Sequence, residues 1–437
     1  MAHHPPRTWL TGFLLGRLAE RPARSVVLHL IHGCNQCREK MASLVETLFR
    51  PGRVGESPEL EHQYEAAVTR AYARTLSLKR QRDQERQEAD FKIARLLCGP
   101  PPLEGTVFWT WGLCEVLLER SWSLRHDDPG GMHRLAALAC EAADHLDPTV
   151  YGGKETLNLR ARAWGEYANA CRVTDDLPMA EWAMSRALEL LNNGSDAPLL
   201  RARLAELTAG LLSHQRRFPA SFQSLDLARA LYEKHGDPYD AARVLVQRGI
   251  YTGRSGDPEM GIRLLAQALL DIDRDRDPKL VFIILHNMLL FRAENGEYRE
   301  ANIQLFEMRP LYAHYAGTVD MDKLRYIEGR IAAGLGELER AERSFLYVRE
   351  EFQRRGQVYH AAVFSLDLAA VWLRQGRTAE VKHLVREMLE TFRAEYVARE
   401  SIAALLMLRE ALEQDRATLD LLAIVTGVIR QHQEEAS

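Results

Sequence analysis

Apolar residues recur at helical spacing, i, i+3, i+4 and i+7, through nearly the whole chain, and no stretch carries a strand pattern. From residue 161 onward a larger unit repeats: a helix with a small residue near its middle, a short polar turn, and a second helix with small residues on its inner side. The segment AWGEYANACRVTDDLPMAEWAMSRALELL shows this unit most completely. Taking the small residue of the first helix as the register mark places it at Ala168, Thr208, Gly249, Leu289, Gly329 and Ala369, in steps of 40, 41, 40, 40 and 40 residues. The turn follows in step as Asp175-Asp176, Gly256-Asp257, Gly296-Glu297, Gly336-Glu337 and Gly376-Arg377. Small residues open the second helix at Ala180, Ala220, Gly261, Ala301 and Ala341, and Val381 breaks the series.

Small residues at these two points let paired antiparallel helices approach closely, and glycine in the turn supplies the left-handed backbone that ends the first helix. One pair cannot bury its apolar face alone, so neighbouring pairs must stack. Trp164, Tyr167, Ala168, Asp175, Ala180 and Ala187 resemble the tetratricopeptide repeat (TPR), as do Gly249, Gly256, Asp257 and Ala268, and Gly329, Gly336, Ala341 and Phe345. The resemblance spans roughly residues 155 to 400, with a period longer than the usual ~34. It implies an all-α, TPR-like α-solenoid, a right-handed superhelix of about seven helix pairs, like the longer repeats of bacterial regulatory proteins and cargo adaptors.

Outside that region the pattern stays helical. Val107 to Leu124 and Met132 to Leu146, split by Asp-Asp-Pro-Gly-Gly, read as an additional divergent pair, so the repeats are expected over 103–400. Residues 401–437 lose the turn signal but keep helical periodicity, as terminal capping helices do. Residues 58–98 form one long helical pattern, ended by the Gly-Pro-Pro-Pro at 99–102. Its run KRQRDQERQEAD alternates in charge and reads as a solvated, salt-bridged helix surface. Residues 51–58, PGRVGESP, look like a linker to a small helical module at 1–50.

Composition narrows the function classes. Of 437 residues, 46% are hydrophobic and 27% charged, which suits a folded chain. The 57 basic and 61 acidic residues are mixed along the sequence, so the repeats offer no basic field for a nucleic-acid backbone. The apolar stretch from Trp9 to Leu15 is cut off by Arg17 and Arg21 and has no cleavage pattern after it, so it reads as an amphipathic helix, not a signal peptide. No run reaches the ~20 apolar residues that span a membrane. Six cysteines without disulfide-like spacing point to a reducing cytoplasm.

Enzyme signatures are missing: there is no phosphate-binding glycine loop, no G-x-S-x-G and no H-E-x-x-H. GRSGDPEMG at 253–261 coincides with a repeat turn, and His286 lies on an apolar helix as an interior or groove residue. Cys34 and Cys37 differ, because a two-residue gap lets both thiolates reach one tetrahedral Zn²⁺. A third ligand is available in His29 or His32, and a fourth in His3, His4, Cys98 or a partner; a buried thiol pair is the alternative, and a redox dithiol would need a βαβ setting. Residues 8–50 resemble the zinc-binding anti-sigma factor domain, whose form is H-L-x-x-C-x-x-C. Here His29-Leu30 begins that form and Gly33 adds one residue before Cys34. The resemblance implies His4, His29, Cys34 and Cys37 as ligands, and control of a transcription initiation factor.

In TPR-like repeats the first helix of each pair lines the concave face. In this register that face carries Arg162, Asn169, Arg172, Arg243, Arg254, His286, Lys323, Tyr326, Arg330 and Arg374. The arginines suggest an acidic or carboxylate-bearing peptide as ligand. The sequence therefore reads as a non-enzymatic, cytoplasmic scaffold that binds a protein or peptide, with a zinc- or thiol-responsive regulator as the alternative and an accessory subunit of an enzyme as a third.

Overall fold

One backbone turn recurs most strictly. The computed structural model describes residues 4–15, 17–31, 34–48, 58–98, 108–125, 128–315, 317–355, 358–394 and 399–431. In it Asp175, Arg216, Gly256, Gly296, Gly336, Gly376 and Asp415 all have positive φ, at 67°, 55°, 106°, 81°, 82°, 73° and 53°. In each case the next residue's N–H donates to the carbonyl five positions back, from Asp176 to Cys171 (2.9 Å) through to Arg416 to Ala411 (2.8 Å). This closure caps the carbonyls that a helix leaves open at its C-terminus and turns the chain back.

The turns join helices of nearly constant length. Twenty-one helices and no strand occur among the described residues. The first are α1 (Arg7–Leu14), α2 (Glu20–Ile31), α3 (Asn35–Leu48), α4 (Pro58–Cys98), α5 (Trp111–Ser123), α6 (Pro129–Asp144) and α7 (Pro148–Tyr151). The 40-residue pairs follow: α8 (Gly153–Val173) with α9 (Leu177–Asn193), α10 (Pro198–His214) with α11 (Phe218–His235), and α12 (Pro238–Arg254) with α13 (Pro258–Asp271). Then come α14 (Pro278–Glu294) with α15 (Tyr298–Tyr315), α16 (Thr318–Gly334) with α17 (Leu338–Arg354), and α18 (Val358–Arg374) with α19 (Thr378–Ala394). The last pair is α20 (Arg399–Glu413) and α21 (Leu419–Gln431). Proline at the first helical position and aspartate before it start several of them, as where Asp257 accepts from Met260 N (2.9 Å) and Asp277 from Leu280 N (3.0 Å).

Counting from the left-handed residue corrects the sequence register. Seven positions back stand Ala168, Ala209, Gly249, Leu289, Gly329 and Ala369; five forward stand Ala180, Ser221, Gly261, Ala301, Ala341 and Val381, and all twelve are buried. Thr208 and Ala220 are therefore not the marks of the second repeat. Both are only half-buried, whereas Ala209 and Ser221 are fully enclosed. The extra residue lies before Ala209, not after it, and arginine in place of glycine at 216 conceals the turn. Val381 breaks the series of small residues but keeps its buried position, and the C-terminal pair keeps the turn through Asp415. The divergent N-terminal pair begins at Trp111, capped by Thr110, which accepts from Leu113 N.

The small residues do set the approach of the helices. A Cβ on Gly249 would lie 2.8 Å from Leu265, one on Gly261 would lie 3.0 Å from the Gly249 carbonyl oxygen, and one on Gly329 would lie 2.7 Å from Phe345.

The described chain divides into two compact units, each a TPR-like α-solenoid segment of consecutively packed helices. One comprises residues 1–211 with 226–238 and the other 212–225 with 239–437. In the first unit, Leu113, Leu117, Leu135 and Leu159 centre one core, and Ala180, Met184, Leu191 and Leu204 the next. In the second unit, cores centre on Leu265 and Ile284, on Leu289 and Leu305, and on Leu366, Val385 and Leu405.

The charge run of α4 is not wholly solvated. Glu85 is buried and accepts from the Gly112 backbone N–H (3.0 Å) and the Tyr151 hydroxyl (2.7 Å), while Ala89 and Ile93 enter the core beside α5. A Cβ on Gly112 would lie 2.6 Å from that of Glu85, so the missing side chain is what admits α4. The linker at 51–57, residues 99–107, His3, His32 and Gly33 lie outside the described residues. No described helix is long and apolar enough to cross a membrane.

Two substitutions test the turn. Gly336 has open space where a Cβ would sit, so Gly336→Val tests backbone strain alone and should destabilise by about 1–2 kcal/mol. Arg216→Gly removes such strain at the cost of chain entropy and should stabilise by up to about 1 kcal/mol. Urea unfolding of both variants checks the opposite signs.

Candidate functional site

Two sets of residues have chemistry beyond packing. The first lies in the N-terminal module, where α1, α2 and α3 enclose a small core of Leu10, Phe13, Leu14, Val26, Val27 and Leu44. Pro5 and Pro6 hold the preceding chain out of the helix, which leaves His4 on an extended arm. His29 sits in the last turn of α2, Cys34 just before α3 and Cys37 within its first turn.

These four side chains converge. His4 Nδ1 lies 3.2 Å from His29 Nε2, 3.2 Å from Cys37 Sγ and 3.4 Å from Cys34 Sγ, and the four donor atoms all fall within 4.8 Å of one another. Metal–sulfur bonds of about 2.3 Å and metal–nitrogen bonds of about 2.0–2.1 Å give a tetrahedron with edges of roughly 3.3–3.8 Å, close to these spacings. Cys37 is fully buried and His29 nearly so. Burial, and then the neighbouring Cys34, push the Cys37 thiol above its ordinary value against the opposing charge of Lys40. A divalent cation would reverse that direction, because coordination favours the thiolate.

The other cysteines stand apart. Cys98 is exposed, and Cys114, Cys140 and Cys171 are buried in helix cores, where desolvation pushes Cys114 up to about 12 and Cys171 up to about 11. The three buried ones are packing residues.

The second set lies on the first helices. Arg162 is half-buried, Asn169 is buried and accepts from Arg172 (2.9 and 3.2 Å), and Arg243 pairs with Asp240 (2.9 Å). Arg254 and Lys323 are exposed. Tyr326 donates to Asp367 (2.7 Å) and Arg330 donates to the Tyr326 hydroxyl oxygen (3.3 Å). Burial disfavours the charge on Arg330, but Tyr326, Asp367 and Glu294 outweigh it and raise its pKa. Arg374 donates to the Ala333 carbonyl (2.8 Å), and His286 Nδ1 lies 2.6 Å from the Tyr312 hydroxyl. Tyr326–Asp367 and Arg374–Ala333 each span one period, so these contacts tie neighbouring repeats together.

The corrected register exposes a residue that the sequence reading missed. Arg203 occupies the position of Arg162 and Arg243 once the second repeat is counted from Ala209. Its guanidinium makes a bidentate pair with Glu166 (2.8 and 3.1 Å), donates to Glu206 (3.0 Å) and lies 4.4 Å from the Trp122 ring centroid. Glu206 is 1% exposed and also accepts from the Tyr232 hydroxyl (3.4 Å). Counting from the turn would have found Arg203; counting from the nearest small residue hid it.

No protein-family model and no curated protein matches the chain. Among solved structures, the chain is similar to NprR in complex with its cognate peptide NprX, at 15% identity over 71% of this chain and 87% of that one, with a TM-score of 0.48.

Removing Arg203 leaves two low-exposure carboxylates facing each other. Arg203→Met should destabilise the protein by about 3 kcal/mol, and adding Glu206→Gln should recover part of that loss. Urea denaturation of both variants measures it.

Proposed function

We propose that the protein is a non-enzymatic scaffold or adaptor whose first helices hold a segment of a protein partner. The observation that carries this reading is a long cationic side chain at one register position of four of the six first helices: Arg162 and Arg203 on α8 and α10 in the first unit and, separately, Arg243 and Lys323 on α12 and α16 in the second. Within each helix the two flanking positions are buried, and all of them except Asp322 are apolar. Cations kept at one position suit carboxylates of an extended partner. Arg203 already holds internal carboxylates, Arg330 donates to the Tyr326 hydroxyl and Arg243 pairs with Asp240, whereas Arg254 and Lys323 are exposed. The setting fits a bacterial-type cytoplasmic protein that uses the repeats for protein contact and not for nucleic acid.

A second reading is favoured by the four converging donors of the N-terminal module. Two thiolates and two imidazoles form the donor set of a structural zinc site. Zinc there would tie the arm before α1, the end of α2 and the start of α3 around a core too small to be secure alone. Such a module would respond to metal loss or thiol oxidation and so regulate a partner, as an anti-sigma-like domain controls a transcription factor.

Two experiments divide the readings. Arg243→Glu with Lys323→Glu should release a captured protein partner at an unchanged melting temperature; retained binding would refute the first-helix assignment. Elemental analysis of the purified chain should find about one zinc per molecule, lost in Cys34→Ser/Cys37→Ser. A metal-free protein with an intact module would remove the regulator.

A further inference from the structure

Helix α1 has little of its own to keep it folded. It is eight residues long, its N-cap Pro6 accepts no side-chain hydrogen bond, and its first turn holds no acid. A helix that short is marginal in water without outside support. Its support is Leu10, Phe13 and Leu14, which pack on Val26 and Val27 of α2 and Leu44 of α3. Helix α2, by contrast, packs against α1, α3 and the long helix α4.

The four converging donors are not placed alike. His29, Cys34 and Cys37 belong to the end of α2 and the start of α3, two helices joined directly through residues 32–34. His4 belongs to the arm before α1. Between His4 and the first residue of α1 stand only Pro5, which is buried, and Pro6, whose φ of −58° and ψ of 151° are those of polyproline II. Two consecutive prolines make a stiff link, so the place of the His4 imidazole and the start of α1 are fixed together.

Resting on the reading that these four donors hold a metal, we infer that His4 is a latch for α1. While His4 is a ligand, α1 stays docked; when the metal leaves, α1 is released and α2 and α3 keep their places. Without the latch, three buried apolar side chains must offset the entropy of ordering the whole helix and the arm before it. Helices α2 and α3 lose a cross-link but keep each other, and α2 keeps α4. Release of α1 uncovers Val26, Val27 and Leu44, so the metal state decides whether that apolar face meets solvent. The module then signals by opening one face, not by unfolding.

Hydrogen–deuterium exchange of the full-length protein, read by mass spectrometry with reductant present, compares the zinc-loaded and the chelated states, and elemental analysis fixes the zinc content of each. Chelation should speed exchange at the α1 amides roughly tenfold or more, against less than about twofold in α2 and α4. His4→Ala kept in zinc should free α1 to the same extent and leave α2 protected. Protection of α1 that survives either chelation or His4→Ala would overturn the latch and leave the metal reading standing. So would loss of protection in α1, α2 and α3 together, because the metal would then hold the module as a whole. A chain that takes up no zinc would overturn the metal reading and the latch with it.

Discussion

The left-handed residue between paired helices is the constraint from which the rest of the structure follows. Because its neighbour's N–H closes onto a carbonyl five residues back, the end of the first helix and the start of the second are fixed together. The buried position seven before it and the buried position five after it are then carried along, and with them the close approach seen at Gly249, Gly261 and Gly329. Four of the seven positions use glycine, where this backbone costs least; Asp175, Arg216 and Asp415 adopt it with a side chain present.

Asp175 was still legible as a turn, whereas Arg216 and Asp415 explain what was not. The helical class and the 40-residue period were readable because the Gly-acid turns repeat at 256, 296 and 336. At Arg216 the signal was chemical nonsense for a left-handed turn, so the register of the second repeat slipped by one residue and Arg203 went unseen. At Asp415 two further residues separate the turn from the next helix, so the terminal helices were legible but the turn between them was not. Glu85 is a third kind of case: an acidic residue inside a mixed-charge run is buried because a glycine and a tyrosine elsewhere in the chain supply its hydrogen bonds. Local pattern cannot announce partners that come from 27 and 66 residues away.

The candidate site was legible in parts. The Cys-x-x-Cys spacing carried its own geometry, and the convergence of His4 with His29 follows from two prolines and the small core that folds the arm back. The first-helix cations were readable as residues but not as partners. Arg203 and Arg330 turn out to sit among carboxylates of neighbouring helices, so part of what looks like a ligand surface in one dimension is the polar clasp between repeats. That division matters for stability: removing a charge held inside the fold costs more than removing one near solvent.

The register decides which residues face outward on the first helices, and thiol accessibility measures it directly. Cysteine placed singly at 208, 209, 220 and 221 and labelled in the folded protein, with site-resolved mass spectrometry separating the native thiols, should react quickly at 208 and 220 and slowly at 209 and 221. Fast labelling at 209 and 221 with protection at 208 and 220 would contradict the register and, with it, the placement of Arg203.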